Sequence, residues 1–338
     1  MKKFILTLII FLTALCVSAF CAPTMKDGFY DDYDAKGNIV RTVEYQLGVP
    51  HGRFRLFYPD GRLLATGTYN NGKVDGFYEE FFEDGKLHFK CSYRNGRLHG
   101  VKTTYYPSGN IQIEETFVEG WKEGPTKEYG DDGAVLLERP FRHNQEDGVT
   151  KEFYPSAGVK RELDYKNGVQ HGKIRDYYPD GRLKGVYEAS GGLRHGDGKE
   201  FYSTGEDLLH GFFENDKLNG PAKMFYKNGR LRVKTNYVNG LVEDPAWREY
   251  FDNANLHWVV AVIHDQKQGS AREYYDSGEL ESEGAFKDDK RDGIFKNFDK
   301  SGLRLSEEQY IAGRVVRRTE FFPSGKIKND QYFYEDKQ

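Results

Sequence analysis

The chain has 338 residues, and 49 Lys or Arg against 53 Asp or Glu give it a formal net charge of −4 at pH 7. This acidic balance disfavours a nucleic-acid-binding protein, because such proteins normally carry a strongly basic face. Aromatic side chains are frequent, with 24 Tyr and 24 Phe, and 30% of the residues are charged, which favours a surface-rich protein over one with a large apolar core.

The first residues have the layout of a secretory signal peptide. Two lysines precede an apolar run from Phe4 to Leu15, and small residues follow it. This run is several residues too short for a membrane-spanning helix. We therefore predict a signal peptide over 1–19 that is cleaved after Ala19, a linker over 20–27, and an exported mature chain, either periplasmic or extracellular. Removal of both lysines and no acid leaves 47 basic against 53 acidic residues, a charge of −6.

Two cysteines, Cys21 and Cys91, remain after this cleavage. Lipidation of Cys21 is an alternative to simple cleavage and would make the protein a membrane-associated lipoprotein. Phe20, which precedes Cys21, is too bulky for the usual lipidation motif. Two cysteines do not form a disulfide framework. A bridge between them and two unpaired thiols are both open at this point.

From Gly28 to the C-terminus the sequence repeats. Residues 51–63 and 171–183 lie 120 positions apart and are identical at nine of 13 positions. Nine successive glycines recur every 24 residues, namely Gly28, Gly52, Gly76, Gly100, Gly124, Gly148, Gly172, Gly196 and Gly220. A fixed period in this range is the signature of a repeat architecture. We predict about twelve tandem repeats of 24 residues over 28–338.

Each repeat contains two turn signals. In the first clear copy they are Asp60-Gly61 and Asn71-Gly72, each between aromatic and aliphatic residues. If both are two-residue hairpin turns, Tyr58 lies opposite Leu63 and Tyr69 lies opposite Val74. No sustained helical period accompanies them. The sequence therefore predicts an all-β fold, an elongated single-layer antiparallel β-hairpin meander.

The turns also assign the side chains to faces, because side chains alternate along a strand. One side of the sheet, the first face, is apolar-rich, and in the copy at 52–75 it carries Phe54, Leu56, Tyr58, Leu63, Ala65 and Tyr69. The other side, the second face, is mixed. Its register places Lys127 opposite Glu138 and Lys151 opposite Glu162. The even period keeps all regular repeats in phase.

The second face carries the predicted binding surface. It consists of an aromatic row and the basic row beside it, namely Phe153, Tyr177, Phe201 and Phe225 with Lys151, Arg175, Lys199 and Lys223. Aromatic residues and Arg are frequent hot spots of protein interfaces. The alternative is that curling of the sheet packs this row as well.

The repeats follow the pattern G-x-x-x-x-[FY]-Y-x-x-G-x-L-x-x-x-x-x-Y-x-x-G-x-x-x, most clearly at 52–75, 76–99, 172–195 and 220–243. This pattern resembles the bacterial variant of the MORN repeat, and the resemblance covers about 28–338. The resemblance implies an elongated β-hairpin meander that serves in binding or scaffolding. Bacterial members are often grouped as antitoxin-like components of toxin–antitoxin modules, and eukaryotic relatives are associated with membranes and protein scaffolds.

The residue before each repeat glycine is often a potential metal ligand, as in His51, Asp75, His99, Glu123, Asp147, His171, His195 and Asn219. Metal ligands must lie within roughly 4 Å of one another, whereas neighbours in this row are roughly 9.6 Å apart. A second, acidic row contains Glu128, Glu152, Asp176 and Glu200. A flat sheet gives this row no pocket. We predict no metal site, no cofactor and no enzymatic activity.

The repeat is irregular at 244–268. Asp244 replaces the glycine, one residue is added, and 258–263 read Trp-Val-Val-Ala-Val-Ile, which is apolar on both faces. One interpretation is a bulge or kink that packs on itself. The other is a self-association patch of Trp247, Trp258, Val260 and Val262, because an uncovered apolar strand is an aggregation hazard.

Two functions fit these observations. The first is an exported scaffold that mediates protein–protein interaction, including an antitoxin-like role, through the aromatic and basic rows. The second is an envelope glycan-binding protein that stacks sugars on aromatic rings. Choline- and glucan-binding hairpin repeats rely on Trp at fixed positions, and here the three Trp lie off the main rows. The sequence therefore favours a protein partner, predicts no nucleic-acid partner, and predicts membrane association only if Cys21 is lipidated.

Overall fold

The computed structural model describes residues 26–156 and 158–333. In these residues it contains 29 β-strands and no helix. Accordingly, none of the described segments is an apolar helix long enough to span a membrane. The predicted signal peptide, Cys21 and most of the linker lie outside the described residues. By its internal contacts the chain divides into Met1–Arg97 and Leu98–Gln338, whose sheets are called here the N-terminal sheet and the C-terminal sheet.

The N-terminal sheet contains β1 to β6, and the short β7 (Arg97–Leu98) lies at the division. The first six strands are β1 Gly28–Tyr33, β2 Ile39–Gln46, β3 Val49–Phe57, β4 Leu63–Asn70, β5 Lys73–Phe81 and β6 Leu87–Arg94. From β1 to β6, each strand pairs antiparallel with the next one in the sequence. This pairing confirms an antiparallel hairpin meander.

The C-terminal sheet continues the same pattern. Its strands are β8 Gly100–Tyr105, β9 Ile111–Val118, β10 Trp121–Tyr129, β11 Val135–Arg142, β12 Gln145–Glu146, β13 Gly148–Phe153, β14 Val159–Lys166, β15 Val169–Tyr177, β16 Leu183–Ser190, β17 Leu193–Phe201, β18 Asp207–Glu214, β19 Lys217–Phe225, β20 Leu231–Val238, β21 Leu241–Tyr250, β22 Leu256–Ile263, β23 Gln266–Tyr274, β24 Leu280–Lys287, β25 Lys290–Arg291, β26 Gly293–Phe298, β27 Arg304–Ile311, β28 Arg314–Phe321 and β29 Ile327–Tyr332. Where β12 and β25 interrupt the sequence order, β11 also pairs with β13 and β24 with β26.

The two turns of a repeat differ in type. Asn71 and Gly72 both have positive φ, 50° and 79°, and Tyr69 lies opposite Val74 as predicted. The prediction of a two-residue turn at Asp60-Gly61 is wrong. There the amide of Tyr58 donates to the carbonyl of Arg62 (2.8 Å), which encloses three loop residues, and in this loop only Gly61 has positive φ. Proline at the first corner favours a type I turn, and a glycine bulge follows it.

This bulge moves one side chain to the other face. Leu63 lies opposite Phe57 on the second face, and not opposite Tyr58 on the first face as predicted. One residue further on the register returns to the predicted one, because the bulge adds a residue to the second strand only. Leu56 then lies opposite Ala65, and Phe54 lies opposite Gly67.

The glycine that repeats every 24 residues has a structural role that Gly172 illustrates. Its φ is +99°, a backbone conformation that side-chain-bearing residues rarely adopt. A Cβ atom there would lie 3.0 Å from Asp164 Oδ2, which accepts the amide of Lys173 at 3.0 Å. Beside Gly52, Glu44 Oε2 accepts the amide of Arg53 in the same way at 2.9 Å. The repeat glycine therefore makes room for an acceptor that satisfies the bulged strand.

Tyrosine hydroxyls connect the turn of one repeat to the next repeat. In each case the hydroxyl donates to the backbone carbonyl of the aromatic residue that ends a strand of the following repeat, at 2.8 Å. The seven pairs are Tyr58 with Phe81, Tyr106 with Tyr129, Tyr154 with Tyr177, Tyr178 with Phe201, Tyr202 with Phe225, Tyr226 with Tyr250, and Tyr275 with Phe298. The stability of a repeat protein includes a term for each contact between neighbouring repeats, and these hydrogen bonds contribute to that term.

The core lies on the first face, where aromatic rings lie flat over glycines. Phe54 is 3% exposed and covers Gly67, and in the C-terminal sheet Phe213 covers Gly198. A Cβ atom on either glycine would be 2.5 to 2.8 Å from a ring carbon. The C-terminal sheet has two buried clusters, Ile174, Tyr187, Ala189, Leu209 and Phe213, and Val260, Val262, Ala271, Phe286 and Phe295. Glycine lets a ring cover the backbone of a sheet that has no second layer.

One part of the first face is polar, contrary to the apolar-rich pattern that we predicted for the repeats. Between β8 and β13 this face carries Lys102, Glu115, Lys122, Arg139 and Glu146. Lys122 Nζ lies 2.6 Å from Glu115 Oε1 and 4.8 Å from the centre of the Phe141 ring. These charged residues occupy positions that are apolar in other repeats. Ion pairs between them and the cation–π contact offset the loss of apolar packing, so the sheet continues through this stretch.

Candidate interaction surface

The four aromatic residues of the predicted binding surface end every second strand of one stretch of the C-terminal sheet. Phe153, Tyr177, Phe201 and Phe225 are the last residues of β13, β15, β17 and β19, and each is partly buried. Their directly opposed neighbours are Val159, Leu183, Asp207 and Leu231, respectively. Three of the four rings therefore pack against an aliphatic side chain, and part of each ring stays exposed.

Tyr177 is fixed by bonds at both ends. Its hydroxyl donates to Glu162 Oε2 at 2.9 Å, and its carbonyl accepts the hydroxyl of Tyr154 at 2.8 Å. Burial, together with the bond to Glu162, raises the pKa of Tyr177 to about 12. Tyr177 is therefore a rigid, neutral part of the surface at physiological pH.

The four predicted basic residues fall into two groups. Lys151 lies 3.9 Å from Glu162, and Arg175 lies 3.0 Å from Asp164. Lys199 and Lys223 are exposed, and no carboxylate of the described residues lies within 4 Å of either. The first two charges are compensated within the sheet, and the last two are not.

This difference belongs to a longer pattern on the second face. Directly opposed residues of successive strands form a row across the sheet, and from β10 to β15 its charges alternate as Lys127, Glu138, Lys151, Glu162 and Arg175. The predicted register is confirmed, since Lys127 lies opposite Glu138 and Lys151 lies opposite Glu162, and the second pair is also within ion-pair distance at 3.9 Å. From β17 to β21 the same row reads Lys199, His210, Lys223, Lys234 and Arg248. We call these five residues the basic ladder.

Sequence analysis found only Lys199 and Lys223 of the basic ladder, because it followed residues 24 positions apart, and it missed Arg248, which belongs to the irregular repeat. His210 and Lys234 come from the intervening strands and were missed. The signal for them was present in the predicted register. Lys199 lies opposite His210, and Lys223 lies opposite Lys234, in the same way as Arg55 lies opposite Thr66.

The surroundings of the ladder form a shallow recess. Its lining includes Lys199, His210 and Lys223 together with Phe212 and Pro221. The ring of Phe225 lies 4.9 Å from the ring of His210, centre to centre. This arrangement combines positive charge with accessible apolar surface over several strands.

Two acids lie near this recess. Asp207 Oδ2 is 2.9 Å from His210 Nε2, so it neighbours the imidazole rung and none of the lysine or arginine rungs. Asp197 is exposed and lies opposite Phe212. The four permanently charged rungs therefore exceed the nearby acids.

The predicted association patch lies in a core cluster of the C-terminal sheet. Val260 and Val262 are 1% and 8% exposed, and Trp247 and Trp258 pack partly buried against them. Lys267 Nζ covers the Trp258 ring at 4.9 Å. The irregular repeat thus packs on itself, with a register shift between Asp244 and Trp247. Self-association stays a prediction and would have to use the exposed edges of the two tryptophans.

The two rows of potential ligands have individual partners. The acidic residues before the repeat glycine accept a backbone amide from the following hairpin turn, as Asp75 does from Asn95 (3.0 Å) and Glu123 from His143 (2.9 Å). In the acidic row, the carboxylate of Glu200 accepts the hydroxyl of Tyr187 at 2.9 Å. Across the described ranges, no three His, Cys, Asp or Glu side chains are grouped so that they could hold a metal ion. Cys91 is buried.

Comparison with known protein families identifies the type of repeat. The family model described as the MORN repeat variant matches residues 50–71, 75–95, 98–119, 218–239 and 267–288. These five segments are therefore repeats of the MORN-variant type. One of them, 218–239, includes two rungs of the basic ladder, Lys223 and Lys234. No curated protein matches the chain.

Two solved structures with some similarity are the crystal structure of TcdB2-TccC3 and that of TcdB2-TccC3-Cdc42. They are 12% and 10% identical to this chain over 90% and 89% of its length, with a TM-score of 0.17 in both cases. The chain spans only 18% and 20% of the length of those chains. This similarity is too weak to bear on fold or function.

Proposed function

We propose that this protein is a non-enzymatic repeat scaffold that binds a protein partner through the second face of its C-terminal sheet. The observation that carries the proposal is the stretch from β17 to β21, where the partly exposed rings of Phe201 and Phe225 run beside uncompensated basic residues. The MORN-variant segments support a scaffold, since this type of repeat presents an open sheet surface.

The more specific form of the proposal concerns cellular context. The signal-peptide pattern of residues 1–19 supports export to the periplasm or the exterior. Resemblance to bacterial MORN-variant proteins supports an antitoxin-like role, in which the partner is a toxin. Co-expression with a toxin-like protein encoded beside this chain tests that role. Rescue of growth by the full chain supports it, and equal toxicity with and without the chain contradicts it.

Site-specific photo-cross-linking tests the proposed surface. Phe225 is replaced by p-benzoylphenylalanine in the full-length chain, which is produced in its own cells. The matched control carries the same group at Leu303, which is 44% exposed in a hairpin turn outside the second face. Discrete protein adducts from position 225 and none from position 303 are expected.

Two results would contradict this proposal. Equal adducts from both positions would mean that the second face is not a specific surface. Adducts at position 225 that disappear on glycosidase treatment would instead support the alternative, an envelope glycan-binding protein that uses the aromatic row.

A further inference from the structure

We propose that the basic ladder binds an extended acidic segment of the partner, which crosses the strands from β17 to β21. This inference rests on the proposed function and specifies the chemistry of the partner. The ladder is defined by Lys199, His210, Lys223, Lys234 and Arg248, which lie directly opposite one another on five successive strands.

The first argument is that no acidic side chain in the described strands of the sheet neutralises the lysine and arginine charges of the ladder. At two other places in this row a basic side chain lies beside an acid, Lys151 at 3.9 Å from Glu162 and Lys296 at 3.3 Å from Glu283. Among the described residues, no carboxylate lies within 4 Å of Lys199, Lys223, Lys234 or Arg248. Like charges directly opposite each other destabilise a sheet. The folded protein therefore contains repulsion that a bound anion would remove.

The second argument is geometry. Adjacent strands are about 4.8 Å apart, so five rungs extend over roughly 19 Å. An extended peptide covers this distance with about six residues at about 3.3 Å each. Phe201, Phe225 and Tyr250 end their strands in a line beside the ladder, where they can contact apolar side chains of the same segment.

The third argument separates an acidic peptide from a nucleic acid. The whole chain has a formal net charge of −4, so its long-range field repels a long polyanion. A short acidic segment needs only the local excess of positive charge. The exposed Lys199, Lys223 and Lys234 supply this excess within one continuous patch.

The test uses the full-length chain and a fluorescein-labelled peptide of ten glutamates, with a ten-glutamine peptide as the uncharged probe. Fluorescence anisotropy measures binding at low and at moderate salt. The test variant is Lys223→Gln with Lys234→Gln. The matched control, Lys151→Gln with Lys296→Gln, removes equal charge from two residues of the same row that each lie within 4 Å of a carboxylate.

The two variants are expected to differ in their affinity for the glutamate peptide and in their thermal midpoints. The test variant should bind the glutamate peptide about tenfold more weakly, the combined effect of two exposed charge contacts. Its thermal midpoint should stay level or rise, because repulsion is relieved. The control variant should bind the peptide as the unmodified chain does, and its midpoint should stay level or fall. Equal affinity of the test variant and the unmodified chain, or an equal loss in both variants, would overturn the proposal.

Two further measurements identify the source of any anion binding. Ladder-dependent binding of single-stranded DNA or of phosphatidylserine vesicles that is tighter than binding of the glutamate peptide would overturn the assignment to an acidic peptide. If the Phe225 cross-link to a protein persists in the test variant while the glutamate peptide does not bind the unmodified chain, the ladder proposal fails and the proposed scaffold function stands. If both signals are absent, both proposals fail.

Discussion

The contact between Phe295 and Gly284 provides a sharp test of how this sheet forms its core. Phe295 is 0% exposed, and its ring is surrounded by Phe286, Tyr310 and the guanidinium of Arg291, which lies 4.6 Å from the ring centre. A Cβ atom on Gly284 would lie 2.5 Å from Phe295 Cγ and Cδ2. Gly284→Ala therefore forces this ring away from the backbone that it covers.

The effect of Gly284→Ala on the unfolding free energy should change sign with the residue at position 295. Phe295→Ala alone should cost about 3–5 kcal/mol of unfolding free energy, the usual range for a buried Phe. Gly284→Ala alone should cost about 1–3 kcal/mol, because it overpacks a filled site. In the Phe295→Ala background the new methyl group meets no ring, and the strand loses a flexible glycine. There Gly284→Ala should stabilise the protein by about 0.5–1 kcal/mol.

Tryptophan fluorescence can follow this double-mutant cycle during urea unfolding. Trp247 and Trp258 pack against the same buried cluster as Phe295. Trp121, which is 51% exposed, is changed to Phe in all four proteins so that emission reports the cluster. If Gly284→Ala is equally destabilising with Phe and with Ala at position 295, the ring-over-glycine arrangement is wrong.

Two further predictions concern the turns and alkaline pH. Gly172→Ala and Gly181→Ala both place a side chain at positive φ, which costs about 1–2 kcal/mol, but only the new methyl group at position 172 also meets Asp164, at 3.0 Å. Gly172→Ala should therefore have the lower thermal midpoint of the two variants. Equal midpoints would contradict the structural role of the repeat glycine. The pKa of Tyr177 is raised to about 12 from its ordinary 10.0, so its stabilising contribution is complete below pH 10 and is lost as the pH rises through 12. Tyr177→Phe should therefore flatten the fall of the unfolding midpoint between pH 10 and 12, and an unchanged slope would contradict the role of the partly buried bond to Glu162.

The period and the asparagine turns made most of the fold predictable from sequence. Asn71-Gly72 determines a two-residue turn because both positions have positive φ, and the even period then sets the faces of all regular repeats. The turn at Asp60-Gly61 was mispredicted because Pro59 favours a type I turn, which Asp-Gly alone does not reveal. The polar first face around Lys122 escaped prediction because its charges are compensated by cross-strand contacts that depend on the register.

The candidate surface was only half predictable. Lys199 and Lys223 are visible in the sequence as members of one column of the repeat. Their lack of ion pairs, and the rungs that His210 and Lys234 add between them, follow from strand pairing. The predicted register places Glu162 opposite Lys151, and the same register, extended to the next strands, places His210 and no acid opposite Lys199.

Paired deletions test the central claim that each repeat is an interchangeable element with one core face and one interaction face. Removal of residues 127–150, a full period of 24, joins Thr126 to Lys151 and keeps the faces of all later strands. Removal of 128–150, one residue fewer, exchanges their faces. The account predicts cooperative thermal unfolding within a few degrees of the full-length chain for the 24-residue deletion, and no cooperative transition for the 23-residue deletion. Equal thermal midpoints for the two proteins would contradict it.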